Sequence, residues 1–529
     1  MDRAHILDQI RDRCAERDPF DFLVVGGGAT GVGIAVDAAS RGHRVALVEQ
    51  SDFGKGTSSR STKLVHGGVR YLQQGNVSLV MEALKERGLL RRNAPHLVHD
   101  LPFVVPNYAW WEAPFYGIGM KVYDALAGRY GFGESKSLSR DETVERLPTI
   151  ETEGLRGGVI YHDGQFDDAR LLINLVSTAV DQGALTVNYV RVTELHKSGE
   201  GYLKGAFAID LESGQSLEIP ARCVINATGA FADGLRQLDD PDAKSIVRPS
   251  QGIHLVLPKE FLPGDSAIMV PHTDDGRVLF AIPWHGVVVV GTTDTPIDEV
   301  SLEPQPLEEE IEFLLEHAAR YLEHDPSRDD VLSVFAGIRP LVANVAEESD
   351  TAKISREHSL AVSASGLLTV AGGKWTTYRK MAEDAVDLAE TIAGVEPSPC
   401  VTRSLNVHGH HANAERFGAL ADYGSDAPEI EALAAREPAL GERIHPRLDV
   451  RLAQVAWAVR EEMARTVDDV LARRTRSLLL DARAAAEAAE VVAGTMAREL
   501  GRGQDWADEQ TRTFRALAAR YLPAAPTSP

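Results

Sequence analysis

The distribution of apolar positions predicts strands in the first three quarters of the chain and helices at its end. Four short runs consist almost wholly of apolar residues and are too short for helices, which favours buried strands. After residue 405 the composition changes to Ala, Arg and Glu with few β-branched runs, which predicts helices up to residue 522. The proline-rich tail at 523–529 is predicted to be disordered. The four apolar runs are 20–25, 45–48, 278–283 and 287–291.

The first two apolar runs flank a glycine-rich turn and a helix of small residues, which together form a βαβ unit with parallel strands. Gly26 makes the tight turn, Gly28 allows a pyrophosphate to approach the backbone, and Gly31 lets the helix lie close to the sheet. The helix N-terminus favours an anion. Glu49 ends the second strand, where a carboxylate can bind a ribose 2′-hydroxyl and would repel the 2′-phosphate of NADP. The unit therefore predicts dinucleotide binding.

The residues after this unit favour FAD over NAD. An NAD enzyme would continue with regular βα repeats, whereas 54–72 is a polar stretch rich in hydrogen-bond donors. Such a segment can lie along an extended cofactor and bind a ring system. Two further strand–glycine–helix junctions follow at 223–233 and 367–378. The second junction starts a helix just after a glycine pair, so its positive end can face the anionic edge of a reduced flavin.

Composition narrows the partners and the compartment. The formal net charge is −23 at pH 7, which argues against nucleic acid as a partner. No stretch is apolar for long enough to span a membrane, and the polar start lacks a signal peptide, so a cytoplasmic setting is expected. Cys14, Cys223 and Cys400 lie far apart, which excludes a disulfide framework and any local cysteine-ligated metal or iron–sulfur site.

Several motifs follow one another along most of the chain. They are Thr57-Ser-Ser59, 61–72, 291–294, 335–341 and 372–380. In sequence and in order these motifs resemble the FAD-dependent glycerol-3-phosphate dehydrogenases, and 470–476 resembles the helical cap of that family. One branch of the family adds a cysteine-bearing iron–sulfur extension. Because this chain lacks such cysteines, it resembles the single-chain respiratory branch.

The resemblance implies an α/β fold in three parts. A Rossmann-like FAD-binding domain is expected beside a mixed-sheet substrate domain, with a C-terminal helical cap. Prolines at 397 and 399 and the histidine-rich stretch 407–412 mark the linker before the cap. The expected ranges are 17–105, 155–235 and 330–395 for the FAD-binding domain, 106–154 and 236–329 for the substrate domain, and 405–522 for the cap.

The resemblance also implies a reaction. The C2 hydrogen of sn-glycerol 3-phosphate passes as hydride to FAD, a base takes the C2 hydroxyl proton, and dihydroxyacetone phosphate is released. A membrane quinone then takes the electrons. The alternatives are an oxygen-using glycerol-3-phosphate oxidase, a related amine oxidase, and a flavin-binding protein without turnover.

Arg339 is the strongest candidate for contact with the substrate. It lies between Gly337 and Pro340, which restrain the backbone, and a guanidinium suits a phosphate or a developing alkoxide. This preference for phosphate disfavours an amino acid substrate. The alternative is a structural salt bridge. Arg70 and Tyr71 follow the flavin segment and are expected to join the substrate pocket; the alternative for Tyr71 is packing.

The resemblance makes His254, on a predicted strand, the expected general base, since histidine ordinarily titrates near working pH; the alternative is a core or surface histidine. His66 is the rival, although beside the flavin it can serve as a cofactor contact. Lys374 is expected to stabilise negative charge on the reduced ring; the alternative is a surface lysine. Thr293 is expected to line the pocket; the alternative is a turn cap. The family pattern implies cofactor contacts at Gly26, Gly28, Gly31, Glu49, Thr57, Ser58, Ser61, Lys63, Leu64, His66, Gly67, Gly229, Gly373, Lys374 and Thr376.

No metal site is expected. The histidines at 408, 410 and 411 lack an ordered scaffold, and the acidic stretch 163–168 resembles a calcium loop only loosely. Helix capping explains that stretch better, because no glutamate stands at the closing position.

A quinone acceptor requires peripheral contact with the inner face of the cell membrane, since no spanning helix is predicted. One candidate surface is 108–118, where Trp110 and Trp111 suit the headgroup boundary. The other is the nearly neutral cap, which anionic lipid repels less than the acidic remainder. Core packing of the tryptophans and pairing of the arginines within helices are the alternatives, and a homodimer is left open. The cap arginines concerned are Arg460, Arg465, Arg473, Arg474 and Arg476.

Overall fold

The protein is described by a computed structural model that covers residues 1–16, 18–69, 72, 76–271, 273, 278–342 and 358–524. Within these residues two large sheets stand side by side in the chain's first three quarters, and helices dominate after residue 405. The expected α/β fold with a mixed second sheet and a helical C-terminal region is confirmed.

The first sheet has eight strands and contains the predicted βαβ unit. Strand β1 pairs in parallel with β2 on one side and with β10 on the other, as the sequence predicts for a nucleotide-binding sheet. The order is β17-β18-β10-β1-β2-β7, and β9 and β8 extend from β10 as antiparallel strands. The strands are β1 Phe20–Val25, β2 Val45–Val48, β7 Leu185–Val187, β8 Val190–Lys197, β9 Leu203–Asp210, β10 Ser216–Asn226, β17 His358–Val362 and β18 Leu368–Gly372.

The second sheet has ten strands and is mostly antiparallel, with one parallel pair between β4 and β12. Its main order is β15-β11-β14-β13-β12-β4-β6-β3, while β16 pairs with β11 and β5 with β6. The predicted runs at 278–283 and 287–291 form the hairpin β13–β14. The strands are β3 Leu64–Val65, β4 Val98–Asn107, β5 Lys136–Ser139, β6 Gly157–Phe166, β11 Val247–Pro258, β12 Ala267–Val270, β13 Leu279–Trp284, β14 Val287–Gly291, β15 Thr295–Pro296 and β16 Ser333–Val342.

Helices cover both sheets. The small-residue helix of the βαβ unit packs against the helix that begins at Tyr378, because its alanines and glycines allow close approach. Strands β4, β6 and β16 belong to the second sheet although they fall in ranges expected for the FAD-binding domain, so the domain boundaries stay a proposal. The helices before the cap are α1 Arg3–Glu16, α2 Ala29–Ser40, α3 Val77–Asn93, α4 Glu112–Ala127, α5 Arg140–Arg146, α6 Asp168–Asp181, α7 Ala232–Asp239, α8 Glu308–Ala319 and α9 Tyr378–Ala393.

The cap is built around an alanine-rich helix whose buried face carries Ala488, Val492 and Met496. The same hydrophobic cluster includes Val289 and Phe335 of the second sheet, so the cap shares a core with that sheet. The residues at 525–529, most of the predicted disordered tail, lie outside the described part of the chain. The cap elements are α10 Ala427–Arg436, β19 Arg443–His445, β20 Leu448–Arg451, α11 Leu452–Glu461, a π-helical turn Asp469–Arg474, α12 Ser477–Leu480, α13 Ala482–Leu500 and α14 Gln504–Ala519.

Three cap arginines are buried, which corrects the prediction that they face lipid. Arg473 donates through Nε to Asp52 Oδ2 at 2.5 Å, and Arg474 pairs with the same carboxylate. Arg476 lies 2.9 Å from Asp168 Oδ1. These arginines are 2–3% exposed. Their charges can be buried because each is paired with an aspartate where the cap meets the rest of the chain. The remaining two also pair with acids, Arg460 with Glu437 and Glu499 and Arg465 with Glu212.

Candidate active site

A cleft of about 360 Å³ opens beyond the carboxyl ends of the parallel strands β1, β2 and β10. In open parallel sheets this is the usual place for a ligand. Neighbouring walls come from β8 and from the glycine pair before residue 374. Of the residues predicted to bind a cofactor, those that line the cleft are Gly26, Gly28, Glu49, Thr57, Ser58, Gly229, Gly373 and Lys374.

The turn from β1 into α2 can be built only with glycine. Gly26 has φ +113°, and a Cβ there would lie 2.6 Å from the carbonyl oxygen of Ala227. A Cβ on Gly31 would overlap the carbonyl oxygen of Gly26. Gly28, the N-cap residue, has no side chain to cap the helix, and the amide of Ala29 donates to Ser58 Oγ at 2.9 Å. The positive end of the helix still lies on the wall of the cleft, where it favours an anion.

Glu49 is held rigidly at the end of β2. Its carboxylate accepts from the amide of Gly27 at 2.6 Å and from the amide of Ser51 at 2.8 Å. Burial raises the pKa of Glu49. A fixed carboxylate beside an uncapped helix start supplies a ribose contact and a pyrophosphate contact in one cleft, so the residues present fit FAD.

The segment 57–66 lies between β16 and the turn at 375–377. Thr57 Oγ1 donates to the carbonyl of Ile338 at 2.5 Å, and the indole of Trp375 donates to the carbonyl of Ser58 at 2.8 Å. The amide of His66 donates to Thr376 Oγ1 at 3.2 Å. These bonds join the segment to two other predicted motifs that lie 281–317 residues further along the chain.

The part of this segment around Ser61 and Lys63 is hydrogen-bonded to Asp168 and does not line the cleft. Lys63 is fully buried, and its ammonium donates to Asp168 Oδ2 at 2.8 Å and to the carbonyl of Ser59 at 3.0 Å. Burial lowers the pKa of Lys63 to about 8. Ser61 Oγ donates to the same oxygen of Asp168. The predicted cofactor residues that are not on the wall of this cleft are Gly31, Ser61, Lys63, Leu64, His66, Gly67 and Thr376.

One face of the second sheet carries two of the three predicted catalytic residues, and the third, Lys374, lies on the wall of the cleft. Strands β11 and β16 pair so that Gly252 lies opposite Gly337 and His254 opposite Phe335. Because alternate residues of a strand share a face, Arg339 and His254 are on the same side. A Cβ on Gly252 would collide with the Arg339 guanidinium, so this glycine makes room for the arginine.

Arg339 is held by the loop after β14. Nη1 lies 3.2 Å from Asp294 Oδ1, and Nη2 donates to Thr292 Oγ1 and to the carbonyl of Thr293, each at 3.0 Å. Its side chain remains 20% exposed. The salt bridge considered as an alternative is therefore present, and it orients a guanidinium that still reaches an open face.

Thr293 does not line the pocket as predicted. Its hydroxyl donates to Glu310 Oε1 at 2.8 Å and accepts from the amide of Ile253 at 3.0 Å, in a buried position. Glu310 also accepts from Gln251 Nε2 at 2.8 Å. The hydroxyl that faces Arg339 belongs instead to Thr292. Glu310 therefore supports the arginine-binding loop from beneath.

His254 is buried and uncharged at neutral pH. Its Nε2 lies 2.9 Å from Thr62 Oγ1, and its ring stacks on Phe335 with a centroid distance of 4.8 Å. Burial, together with the positive charges of Lys63 and Arg339, holds the pKa of His254 well below its ordinary value. Nδ1 has no hydrogen-bond partner among the described residues. The imidazole is therefore neutral and has a lone pair for a proton, although its lowered pKa makes it a weak base.

Two predicted substrate residues, Arg70 and Tyr71, lie outside the described residues. Conversely, the sequence reasoning missed Thr62, Gly252 and Glu310. Gly252 stands two residues before His254, and a glycine at that spacing on a strand is a signal for close approach of another group. Nothing in the pattern distinguishes Glu310 from the other acids at the start of α8.

Comparison with known proteins places the chain in a family. A sequence model described as FAD dependent oxidoreductase matches residues 21–379, and one described as the C-terminal domain of alpha-glycerophosphate oxidase matches 368–511. The chain is 41% identical to a protein of Caenorhabditis elegans named probable glycerol-3-phosphate dehydrogenase, mitochondrial, over 96% of this chain and 73% of that protein. It is also 41% identical to the mitochondrial glycerol-3-phosphate dehydrogenase of Homo sapiens, over 95% of this chain and 73% of the human protein.

Among solved structures, the FAD complex of glycerol-3-phosphate dehydrogenase from Bacillus halodurans matches with a TM-score of 0.79 and 30% identity. The match covers 98% of this chain and 99% of the bacterial one. The cleft bounded by glycines and the fixed Glu49 are consistent with these relatives. The chain belongs to the glycerol-3-phosphate dehydrogenase family of FAD-dependent oxidoreductases.

Proposed function

We propose that the protein oxidises sn-glycerol 3-phosphate to dihydroxyacetone phosphate and passes the electrons to a membrane quinone. The observation that carries this proposal is the common face of Arg339 and His254, a cation and a neutral base held beside each other by paired strands. FAD, when bound, accepts the hydride from C2. The substrates named for the relatives support the same choice.

Each residue has a distinct part in this proposal. Arg339 binds the substrate's anionic oxygens, and Asp294 together with the hydroxyl of Thr292 keeps the guanidinium in place. His254 takes the proton of the C2 hydroxyl. Lys374, on the wall of the cleft, contributes positive charge where negative charge accumulates during reduction.

Anaerobic bleaching of the bound flavin tests the substrate. We expect glycerol 3-phosphate to bleach the flavin and glycerol, lactate and glycine not to do so, because only the first carries the phosphate that Arg339 suits. Bleaching by glycine alone would indicate an amine oxidase. A flavin that none of the four reduces would indicate a flavin-binding protein without turnover.

Oxygen is the alternative electron acceptor. The observation in its favour is the match of residues 368–511 to the C-terminal domain of alpha-glycerophosphate oxidase. The purified protein should be assayed with glycerol 3-phosphate for reduction of a soluble ubiquinone analogue and, separately, for peroxide. We expect fast quinone reduction with little peroxide. Stoichiometric peroxide and slow quinone reduction would favour the oxidase.

The beginning of α4 offers a surface for membrane contact. We call the exposed apolar set Trp110, Trp111, Phe115, Ile118 and Val122 the α4 patch; its members are 44–77% exposed. Lys121 and Lys136 lie beside the patch on the wall of an open groove of about 620 Å³. Adjacent tryptophans with flanking lysines suit the headgroup region of an anionic bilayer. No helix among the described residues is long and apolar enough to span a membrane.

We therefore propose peripheral binding to the inner face of the cell membrane through the α4 patch. In flotation with anionic liposomes, wild type should rise with the vesicles and a variant carrying Trp110→Ser and Trp111→Ser should stay in the soluble fraction. The control is Tyr202→Ser, which removes an exposed aromatic, 60% accessible, away from the patch. Wild type that never floats, at low or high salt, would refute membrane binding and favour the oxidase.

A further inference from the structure

Three side chains from three distant parts of the chain converge at the junction of both sheets with the cap. Asp167 caps the start of α6, His285 occupies the β13–β14 turn, and Asp422 lies in the 3₁₀ segment 414–426 of the cap. One ligand atom from each lies within 4.8 Å of the others. The group is separate from Arg339 and His254 and takes no part in the proposed chemistry.

The separations suit a shared cation better than direct hydrogen bonds. His285 Nε2 lies 3.4 Å from Asp167 Oδ2 and 3.5 Å from Asp422 Oδ2. Both distances exceed the usual range for a charged hydrogen bond, about 2.7–2.9 Å. Four ligands at about 2.1 Å from a tetrahedral metal ion are about 3.4 Å apart along each edge. The two measured separations match that edge.

The surroundings orient the ligand atoms. The other oxygen of Asp167, Oδ1, accepts from the amide of Arg170 at 2.9 Å and lies 3.5 Å from Arg476 Nε. This leaves Oδ2 directed at His285, as outer hydrogen bonds do for carboxylates that ligate metals. The side chains of His285 and Asp422 are 34% and 27% exposed, so solvent reaches the site and a water can complete the coordination.

The backbone places His285 at the tip of the β13–β14 turn. His285 has φ +45° and Gly286 has φ +79°, so both residues of this two-residue turn are left-handed. Histidine is among the residues that tolerate a positive φ, and glycine follows it, so this turn presents the imidazole beyond the ends of the two strands.

We propose that Asp167, His285 and Asp422 form a site for a divalent transition-metal ion of the zinc class, contrary to the sequence-based expectation of no metal. One imidazole and two carboxylates are donors that zinc accepts, with water as the fourth ligand. The ion would link α6, the second sheet and the cap, and its role is to hold these parts together. The competing explanation is a protonated His285 that bridges two carboxylates without metal.

Zinc binding by the FAD-loaded protein decides between these explanations. After treatment with a chelator, equilibrium dialysis against buffered Zn²⁺ should restore one zinc per chain and raise the unfolding temperature. Co²⁺ should give the absorption bands of a tetrahedral site. In His285→Gln the affinity should fall by at least about tenfold. The matched control is His162→Gln, because His162 faces only one carboxylate, Asp100, at 3.1 Å.

Asp422→Asn provides the second variant if His285→Gln fails to fold, since Asp422 is partly exposed and belongs to another element. It should lose zinc in the same way and keep its flavin absorbance. Wild type that binds no zinc, or either variant binding zinc as tightly as wild type, would overturn the proposal and leave the protonated histidine bridge. Because flavin absorbance and zinc content are read separately, failure of this site is distinguishable from failure of the proposed reaction.

Discussion

The positions of the Arg339 and His254 side chains require glycine at the neighbouring positions 252 and 291. A Cβ on Gly252 would occupy the position of the Arg339 guanidinium, and a Cβ on Gly291 would occupy that of the His254 ring. Neither glycine has a positive φ, so what each contributes here is the space that it leaves for a neighbouring side chain. Both functional groups on this sheet face are therefore positioned by paired strands.

Replacing Arg339 by alanine should lower kcat/KM for glycerol 3-phosphate by roughly 10²-fold or more, because a charge-assisted contact to a buried anion is lost. Flavin content should persist, because the Arg339 guanidinium contacts the loop at 292–294 and is not on the wall of the cofactor cleft. Steady-state kinetics with flavin absorbance checks both points. Unchanged kinetics would assign Arg339 only the salt bridge with Asp294.

Gly252→Ala should have a similar effect through displacement. The added methyl pushes the guanidinium from its place, and a displacement of about 1 Å at a reacting site can cost about 10²-fold in rate. We expect KM to rise while the unfolding temperature changes little, because the end of a flexible side chain gives way. Gly199→Ala, with open space around it, is the control. Equal kinetics of the two variants would contradict the proposed crowding.

Among the secondary-structure elements, the π-helical turn of the cap forms ion pairs with the loop that follows β2. Asp52 is fully buried and pairs with Arg473 and Arg474 of that turn. Although burial alone would raise it, the two guanidinium groups hold the pKa of Asp52 below its usual value. Asp52 is three residues beyond Glu49, so this ion pair also restrains one wall of the cofactor cleft.

Asp52→Asn should destabilise the protein by up to about 3–5 kcal/mol, because it removes the carboxylate nearest to the buried Arg474. Arg473 keeps its contacts with Asp468 and Asp469, which limits the loss. Denaturant unfolding measures the loss, and retention of flavin on gel filtration should fall in parallel. The control is Glu431→Gln, which breaks an exposed pair with Arg451 inside the cap and should cost at most about 1 kcal/mol. Equal stability of the two variants would show that the cap is anchored elsewhere.

At the scale of the whole molecule, the linker histidine His408 joins the end of α6 to the cap. Its Nδ1 lies 2.7 Å from Asp181 and its Nε2 3.1 Å from Asp426. These two carboxylates raise the pKa of His408 to about 10. The histidine-rich linker therefore holds an ion-paired imidazolium and is an ordered part of the structure.

Because the folded pKa of His408 lies above that of the unfolded chain, its stabilisation is fully present below about pH 6.5 and is lost as the pH rises towards 10. The unfolding temperature of wild type should exceed that of His408→Gln at pH 6–7, and the difference should shrink steadily up to about pH 10. Scanning calorimetry of both proteins across this range checks the trend. A difference that stays constant with pH would show that the charge of His408 does not contribute.

The sequence alone determined the features that depend on near neighbours. The turn at Gly26, the helix start at Gly28 and the acid at Glu49 lie within one βαβ unit, so their spacing specifies the nucleotide cleft without reference to the rest of the chain. The apolar runs that form strands and the motifs that carry the family resemblance are visible in the sequence in the same way, because each consists of residues close together in the chain. Lys374 and His254 were found through that resemblance and not through any local pattern.

Only the tertiary structure decided which charged groups are partners. Lys63 meets Asp168 across 105 positions of sequence, and Arg476 reaches the same carboxylate across 308. The family resemblance predicts a cofactor contact for Lys63, and the near-neutral charge of the cap suggests lipid contact for Arg476, but the sequence does not reveal that both pair with Asp168. The apolar character of Trp110 likewise suits a core or a docking surface equally well. Burial depends on how distant segments pack together, and local patterns of residues carry no record of that packing.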